Sequence, residues 1–99
     1  MKRQLILGLS IVLAASLGGC GPTTEEKVQN LLQAGIDWKD KGDYDQAIKD
    51  LSQTIKLKPD YHRAWRFRGW AYKELGNEAK AKADLLKAEE LKAKAKSKP

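Results

Sequence analysis

The side chain with the most distinctive chemistry in this 99-residue chain is its single cysteine, Cys20. A disulfide needs a pair of cysteines, so no internal cross-link can form. The thiol is an intrinsically strong nucleophile, and Gly18 and Gly19 before it leave the backbone open to a modifying enzyme. An unpaired cysteine can be a free thiol, an intermolecular bridge or a site of modification, and the sequence before Cys20 bears on that choice.

The segment before Cys20 has the organisation of a secretory signal. Lys2 and Arg3 give it a positive start, and a mostly apolar run of 13 residues follows at 5–17. That run is too short for a transmembrane helix, which needs about 20 apolar residues, but it suits a signal peptide. The Leu-Gly-Gly-Cys at 17–20 resembles the lipobox of bacterial lipoproteins. An uncleaved membrane anchor with an incidental cysteine is the alternative.

The lipobox resemblance implies a modified and anchored mature chain. Residues 1–19 would be a removed signal peptide, and residues 20–27 would be the lipidated Cys20 and a short tether. The resemblance implies a diacylglycerol on the thioether, and two acyl chains, such as palmitate, hold a protein firmly on a membrane. In enterobacterial lipoproteins an Asp after the cysteine commonly causes inner-membrane retention. Gly21 at that position favours the outer membrane of the cell envelope if the source is Gram-negative.

The remaining residues offer no catalytic or metal-binding set. His62 is the only histidine, which excludes sites built on paired histidines. No Ser/His/Asp set, phosphate-binding glycine loop or second thiol accompanies it. The sequence therefore predicts a protein that is not an enzyme, with no catalytic residues, no metal and no cofactor.

A second group of residues could bind rather than react. Arg63, Arg66, Trp70 and Lys73 follow one another at intervals of three, four and three, so on a helix they share one face. Three cations around an exposed indole could engage a carboxylate or an acidic segment. The alternative is an ordinary solvated face, with Trp70 packed under a neighbouring helix or on a membrane surface.

The elements that position these residues follow from an internal repeat. A shift of 34 places residues 28–61 on residues 62–95 with eight identities. Fixed-period similarity of this length is the signature of a helical repeat protein. The identical pairs are Gly35/Gly69, Lys39/Lys73, Gly42/Gly76, Ala47/Ala81, Asp50/Asp84, Leu51/Leu85, Leu57/Leu91 and Lys58/Lys92.

The repeated positions have recognisable structural roles. Gly69 is small enough for a second helix to approach, and Ala81 is the small residue expected to face it. Gly76 suits the position after a helix C-terminus, where φ is positive. Asn77 and its counterpart Asp43 are good N-caps. Asp60, after Pro59, was expected to cap the third helix in the same way.

These residues resemble the tetratricopeptide (TPR) signature at period 34. The sequence departs from the signature at several positions. Leu31 replaces the first tryptophan, Arg68 the usual leucine, Leu51 and Leu85 the aromatic residue, and Ala93 the final proline.

The TPR resemblance implies an all-α fold of two helix-turn-helix repeats, residues 28–61 and 62–95, after the cleaved signal. About four antiparallel helices are expected, near 24–41, 44–57, 61–75 and 77–95, with a basic tail at 96–99. An accidental periodicity in a helical hairpin bundle is the alternative. In TPR proteins the first helix of each repeat lines a concave groove, which adds first-repeat positions to the partner-binding set. The full predicted set is Leu32, Ile36, Lys39, Arg63, Arg66, Trp70 and Lys73.

The fourth helix is predicted to end the array. Ile48 of the first repeat becomes Lys82 in the second, and Ile55 becomes Glu89. Terminal repeats need a polar outer face, so this helix was expected to cap the solenoid itself. The lysine-rich tail beyond it fits either contact with acidic headgroups or a solubilising helix end.

The charge balance limits the class of partner. The chain has 19 bases and 13 acids, and loss of Lys2 and Arg3 with the signal leaves 17 bases. This modest excess favours acidic partners or anionic lipids and does not indicate a nucleic-acid binder. The leading hypothesis is a lipid-anchored envelope adaptor that binds a protein segment in the concave groove. The alternative is a structural lipoprotein that self-associates, its groove filled by another copy.

Overall fold

Four α-helices make up the fold in a computed structural model, which describes residues 21–97. The predicted all-α architecture of two helix-turn-helix repeats is confirmed, and no strand occurs within the described range. The observed bounds differ from the predicted ones by no more than two residues. The predicted signal peptide, residues 1–19, and the predicted lipidation site Cys20 lie outside the described residues. The helices are α1 (Thr24–Asp40), α2 (Tyr44–Leu57), α3 (His62–Glu74) and α4 (Glu78–Ser97).

Side-chain caps begin three of the four helices. Thr23 Oγ1 accepts a hydrogen bond from the Glu26 N–H at 3.1 Å. Asp43 and Asn77 cap α2 and α4 in the same way, at 3.2 and 3.3 Å. Each bond satisfies one of the unpaired N–H groups at a helix start. The expected cap of α3 is wrong, because its N-cap is Tyr61, which makes no side-chain capping bond.

In each repeat, one glycine lies just after the end of the first helix. Gly42 has φ +87° and Gly76 has φ +85°. Residues with a Cβ rarely adopt this backbone conformation. The N–H of the next residue then bonds back to a carbonyl in the last turn of the helix, from Asp43 to Trp38 and from Asn77 to Tyr72, each at 2.9 Å. These turns reverse the chain and make α1/α2 and α3/α4 antiparallel pairs.

The closest helix contact in each repeat lies at a second glycine. A Cβ built on Gly35 would lie 2.6 Å from Leu51 Cγ, and one on Gly69 would lie 3.0 Å from Leu85 Cγ. A leucine therefore fills each glycine notch. This corrects the expectation that the Ala81 side chain faces Gly69, since Ala81 contributes its backbone carbonyl, 3.2 Å from that Cβ position.

Small residues dominate the core between the two repeats. Ala47 and Leu51 of α2 pack with Ala64 and Ala71 of α3, all fully buried. Alanine at facing positions lets helix axes approach closely, towards the lower end of the usual 8–10 Å. The buried hydroxyl of Thr54 is satisfied by donating to the Asp50 carbonyl at 3.0 Å, so this polar group carries no desolvation penalty.

The start of α1 and the end of α4 lie at the same end of the bundle. Lys58, after α2, pairs with Glu25 of α1 at 3.5 Å, and Gln29 donates to the Tyr61 hydroxyl at 3.4 Å. Because Leu85 lies against Gly69, the antiparallel course of α4 brings Lys92 level with the start of α3. The residues after Lys92 extend about 7 Å farther at 1.5 Å per residue. None of the four described helices is long and apolar enough to cross a bilayer.

Replacement of Gly35 by alanine should lower the free energy of unfolding by up to about 2 kcal/mol. Overpacking against fully buried Leu51 costs about 1–3 kcal/mol, and the better helix propensity of alanine returns about 1 kcal/mol. Gly69→Ala is the matched comparison, because its Cβ would approach Leu85 Cγ to 3.0 Å rather than the 2.6 Å at Gly35, and Leu85 is only half-buried. Urea unfolding monitored by circular dichroism measures both. Equal stability of Gly35→Ala and Gly69→Ala would contradict the claim that the Gly35–Leu51 contact is tighter than the Gly69–Leu85 contact.

Candidate functional site

A cluster of cations and aromatic rings lies where α1 meets α3. It consists of Lys39, Arg63, Arg66, Phe67 and Trp70, and is called here the cation–aromatic cluster. Arg63, Arg66, Phe67 and Trp70 are presented by α3, and Lys39 reaches the cluster from the last turn of α1. The cluster exists because the 34-residue repeat stacks these two helices side by side.

The two rings form the centre of the cluster. Phe67 and Trp70 pack edge to face, with centroids 5.4 Å apart and planes at 83°. Lys39 Nζ lies 5.7 Å from the Trp70 ring centroid, and the Arg66 guanidinium carbon lies at the same distance. Arg63 and Arg66 both lie 5.9 Å from the Phe67 ring centroid. Such distances fall within the range for attraction between a cation and a ring face.

The positive charge of the cluster is only partly neutralised. Lys39 pairs with the exposed carboxylate of Asp40 at 3.0 Å. Within residues 21–97, Arg63 and Arg66 have no carboxylate at ion-pair distance. The Nε atom of Arg66 is buried and lacks a hydrogen-bond partner, which is unusual because most buried donors are paired. The two guanidinium groups therefore have donors available for an anionic ligand.

A shallow depression adjoins the exposed side of Trp70. Its volume is about 420 Å³, and Lys39, Tyr44, Trp70, Lys73 and Glu74 line it. The Trp70 ring is 42% exposed, so an apolar surface is open to a ligand beside two lysines. Glu74 gives this end of the surface a mixed charge.

The structure brings most of the predicted binding residues together but not all of them. Arg63, Arg66, Trp70 and Lys39 join in the cluster, and Lys73 lines the adjoining depression. The sequence left open whether Trp70 is exposed or packed. In the structure the Trp70 ring packs against Phe67 on one side and is exposed on another.

Two apolar residues of the predicted set belong to the interior. Leu32 is 3% exposed and is part of the core, so it offers no surface to a ligand. This corrects its assignment to the groove. Its place in the first repeat corresponds to Arg66 in the second, but α1 turns the shorter apolar side chain inwards. Ile36 is partly buried against the same core.

Phe67 was missed by the sequence analysis. The signal was present, because Phe67 lies four residues after Arg63 and next to Arg66, and side chains four apart on a helix are neighbours. The spacing that selected Arg63, Arg66, Trp70 and Lys73 passed over it.

An ion pair on the neighbouring side of α3 fixes the orientation of that helix. Arg68 Nε and Nη2 donate to the two carboxylate oxygens of Asp84 on α4, at 2.8 and 2.9 Å, and Nη1 donates to Ser52 Oγ of α2 at 3.1 Å. The guanidinium carbon also lies 5.1 Å from the Trp65 ring centroid and 5.7 Å from that of Tyr72. The hydrogen bond with Asp84 raises the pKa of Arg68 above its ordinary value. One side chain thus ties α3 to both α2 and α4.

Candidate metal ligands do not cluster in the described part of the chain. No group of three or more histidine, cysteine, aspartate or glutamate side chains comes together in residues 21–97.

Comparison with known proteins agrees with the repeat geometry. A family model described as TPR repeat matches residues 39–76, and one described as tetratricopeptide repeat matches residues 62–94. The chain carries tetratricopeptide repeats. The crystal structure of MamA superposes with a TM-score of 0.69 at 28% identity, over 72% of this chain and 42% of that one. The TPR chain thus spans less than half the length of MamA, and no curated protein matches it significantly.

Replacement of Arg68 by leucine, the usual TPR residue, should destabilise the protein by about 3 kcal/mol or more. The change leaves the Asp84 carboxylate buried without a partner, and breaking a buried pair in this way costs about 3–5 kcal/mol. The double variant Arg68→Leu/Asp84→Ala removes both charges and should recover most of that loss. Thermal unfolding of the wild type, Arg68→Leu and the double variant measures the stability of each protein. A double variant no more stable than Arg68→Leu would contradict the pairing as the source of the loss.

Proposed function

We propose that this chain is a lipid-anchored adaptor of the bacterial cell envelope, which binds a segment of a partner protein on its concave TPR face. Tetratricopeptide repeats generally mediate protein–protein interaction. The observation that carries the proposal is the cation–aromatic cluster. Trp70 keeps an exposed face beside Arg66, and within residues 21–97 neither Arg66 nor Arg63 has an ion-pair partner. Tryptophan and arginine are the residue types most enriched at binding hot spots.

The cluster suits a segment that carries both an acid and an apolar side chain. A carboxylate can accept hydrogen bonds from Arg63 or Arg66, and arginine–carboxylate pairs are among the stronger hydrogen bonds in proteins. A carboxylate that drew the Arg66 guanidinium outwards would also end the cost of its buried, unpaired Nε. An apolar side chain can pack on Trp70. Asp40 and Glu74 at the edges favour a segment of mixed charge over a polyanion such as nucleic acid.

Two observations support the proposed anchor. One is the sequence at residues 17–20, and the other is that the start of α1 and the end of α4 lie at the same end of the bundle. The tether between Cys20 and Thr24 is three residues long, about 10 Å when extended. It would hold the start of α1 against the bilayer. The end of α4 lies at the same end of the molecule, and Lys92, Lys94 and Lys96 would then face the headgroups. Each base near an anionic leaflet contributes about 1 kcal/mol.

A photo-crosslinking residue at position 70 in intact cells should capture a distinct partner protein. The matched control is position 49, because Lys49 is an exposed residue of α2 outside the cluster. Mass spectrometry of the adducts should identify a protein at position 70 that is absent at position 49. Capture of this same chain alone would favour the self-associating alternative, and identical adducts at both positions would contradict a concave binding surface.

Charge reversal at Arg66 should abolish that capture. Arg66→Glu places a carboxylate where the partner's acid is expected, and like charges juxtaposed at an interface cost several kcal/mol. The yield of the adduct at position 70 should fall about tenfold or more, while Lys49→Glu, an equal change of charge elsewhere, should leave it unaltered. An unchanged yield with Arg66→Glu would contradict recognition of an acidic segment.

Replacement of Cys20 by serine should release the chain from its lipid. Serine has no thiol to form the thioether, so a labelled fatty acid fed to the cells should mark the wild-type protein and not Cys20→Ser. Wild-type protein should sediment with membranes and resist extraction by high salt, since two acyl chains anchor firmly. A wild-type protein without label would contradict the lipid anchor and leave the concave-face proposal standing on its own test.

A further inference from the structure

An uncovered apolar groove lies on the outer side of the second repeat. It has a volume of about 380 Å³ and runs along α4 beside the end of α3. The residues that matter here are Ala81, Lys82, Leu85, Leu86 and Glu89, and together they are called the terminal groove. Leu86 is 62% exposed. Exposed apolar surface rimmed by charge marks interaction sites.

The equivalent groove of the first repeat is filled by a helix. Positions 34 earlier are Ala47, Ile48, Leu51, Ser52 and Ile55. Phe67 of α3 packs with Ile48 and Ile55 against the core, and Arg68 of α3 donates to Ser52 at 3.1 Å. The repeat therefore builds a site of helix size at this place, and in the second repeat no element of residues 21–97 occupies it.

The terminal groove differs from the groove of the first repeat in the residues at its two ends and at its centre. The apolar flanks Ile48 and Ile55 become Lys82 and Glu89, whereas the polar centre Ser52 becomes Leu86. The predicted polar cap is therefore only half of the change, because charge enters at the two ends while the centre becomes more apolar. A covering helix must present an acid at one end, an apolar centre and a base at the other end.

Stacking of one copy head to tail on another does not meet this requirement. In that arrangement α1 of the second copy would sit where a third repeat begins. Its outward residues at the positions equivalent to Ala64, Phe67 and Ala71 of α3 are polar and exposed. Those outward residues are Asn30, Gln33 and Asp37.

The helix that does meet the requirement is α4 itself. Lys82 and Glu89 are seven residues apart, so they lie on the same face of α4 two turns from each other. Both are equally far from the midpoint between Leu85 and Leu86. Suppose that α4 of a second copy packs antiparallel on this helix, with the two midpoints facing each other. Lys82 of each copy then lies against Glu89 of the other copy. The leucines then meet at the centre.

We propose that the terminal groove is covered by a second copy of this chain, with α4 packed antiparallel on α4 about a two-fold axis. The interface is isologous, the same patch on both copies, as in most symmetric dimers. Helix α4 has 20 residues, about 30 Å of length for the contact. The five residues of the cation–aromatic cluster do not line the terminal groove, although Lys73 lines both that groove and the depression beside Trp70. The dimer therefore rests on different residues from the adaptor function.

The test is a charge-swap series on the complete chain in a nonionic detergent, with self-association measured by sedimentation velocity over a range of concentrations. Lys82→Glu and Glu89→Lys each set like charges together at two symmetry-related places, and each should raise the dimer dissociation constant about tenfold or more. The double variant Lys82→Glu/Glu89→Lys restores opposite charges and should return the constant to within about threefold of wild type. Leu86→Asp should abolish the dimer.

The matched control is Lys80→Glu, which makes the same change of charge about 160° around α4 and should leave the dissociation constant unchanged. All four substituted positions are exposed in the monomer, so helicity by circular dichroism should be retained in every variant. A wild-type chain that stays monomeric at every concentration would overturn the proposal. So would a double variant that associates no better than the single ones.

Discussion

The structure depends on the close approach of two antiparallel helices at a glycine. Gly35 and Gly69 lack the Cβ that would collide with Leu51 and Leu85. Each leucine can therefore reach the backbone of the facing helix, and that contact sets the register of both helices. A dispersion contact of this kind has a short range, so a shift of one residue would lose it. The register then decides which residues of α1 and α3 become neighbours on the concave face.

The second repeat replaces part of this apolar packing with a buried ion pair. Arg68 stands where the TPR signature has leucine, and its counterpart in the first repeat is Ala34. Its bonds to Asp84 and Ser52 hold three helices in one relative orientation. Buried pairs contribute little net stability compared with apolar residues of similar volume. We infer that the benefit is geometric restraint of α3, because α3 carries four of the five residues of the cation–aromatic cluster.

The repeat period made most of the fold predictable. Helix number, order and bounds followed from the 34-residue spacing of glycines and caps, because backbone requirements such as the positive φ of Gly76 leave few residue choices. Side-chain direction was harder to predict. Leu32 and Arg66 are equivalent in the repeat, yet one is buried in the core and the other lies beside Trp70. Equivalent backbone positions do not give equivalent environments when apolar and charged side chains exchange. Phe67 was missed because the spacing that joins Arg63, Arg66, Trp70 and Lys73 passes over it. Its contact with Lys39 joins residues 28 positions apart, which no local pattern reveals.

The two repeats differ most where they face outwards, and that asymmetry follows from the number of repeats. A repeat face that the next helix covers is apolar, as Ile48 and Ile55 of α2 are where α3 packs on them. In an array of two, the first repeat exposes α1 and the second exposes α4. The α1 side became uniformly polar, with Asn30, Gln33 and Asp37. The α4 side kept Leu85 and gained Leu86 between opposite charges. Uniform polarity is sufficient to end an array, so solubility alone does not account for leucine at position 86. A self-complementary contact accounts for the leucine and for both charges together.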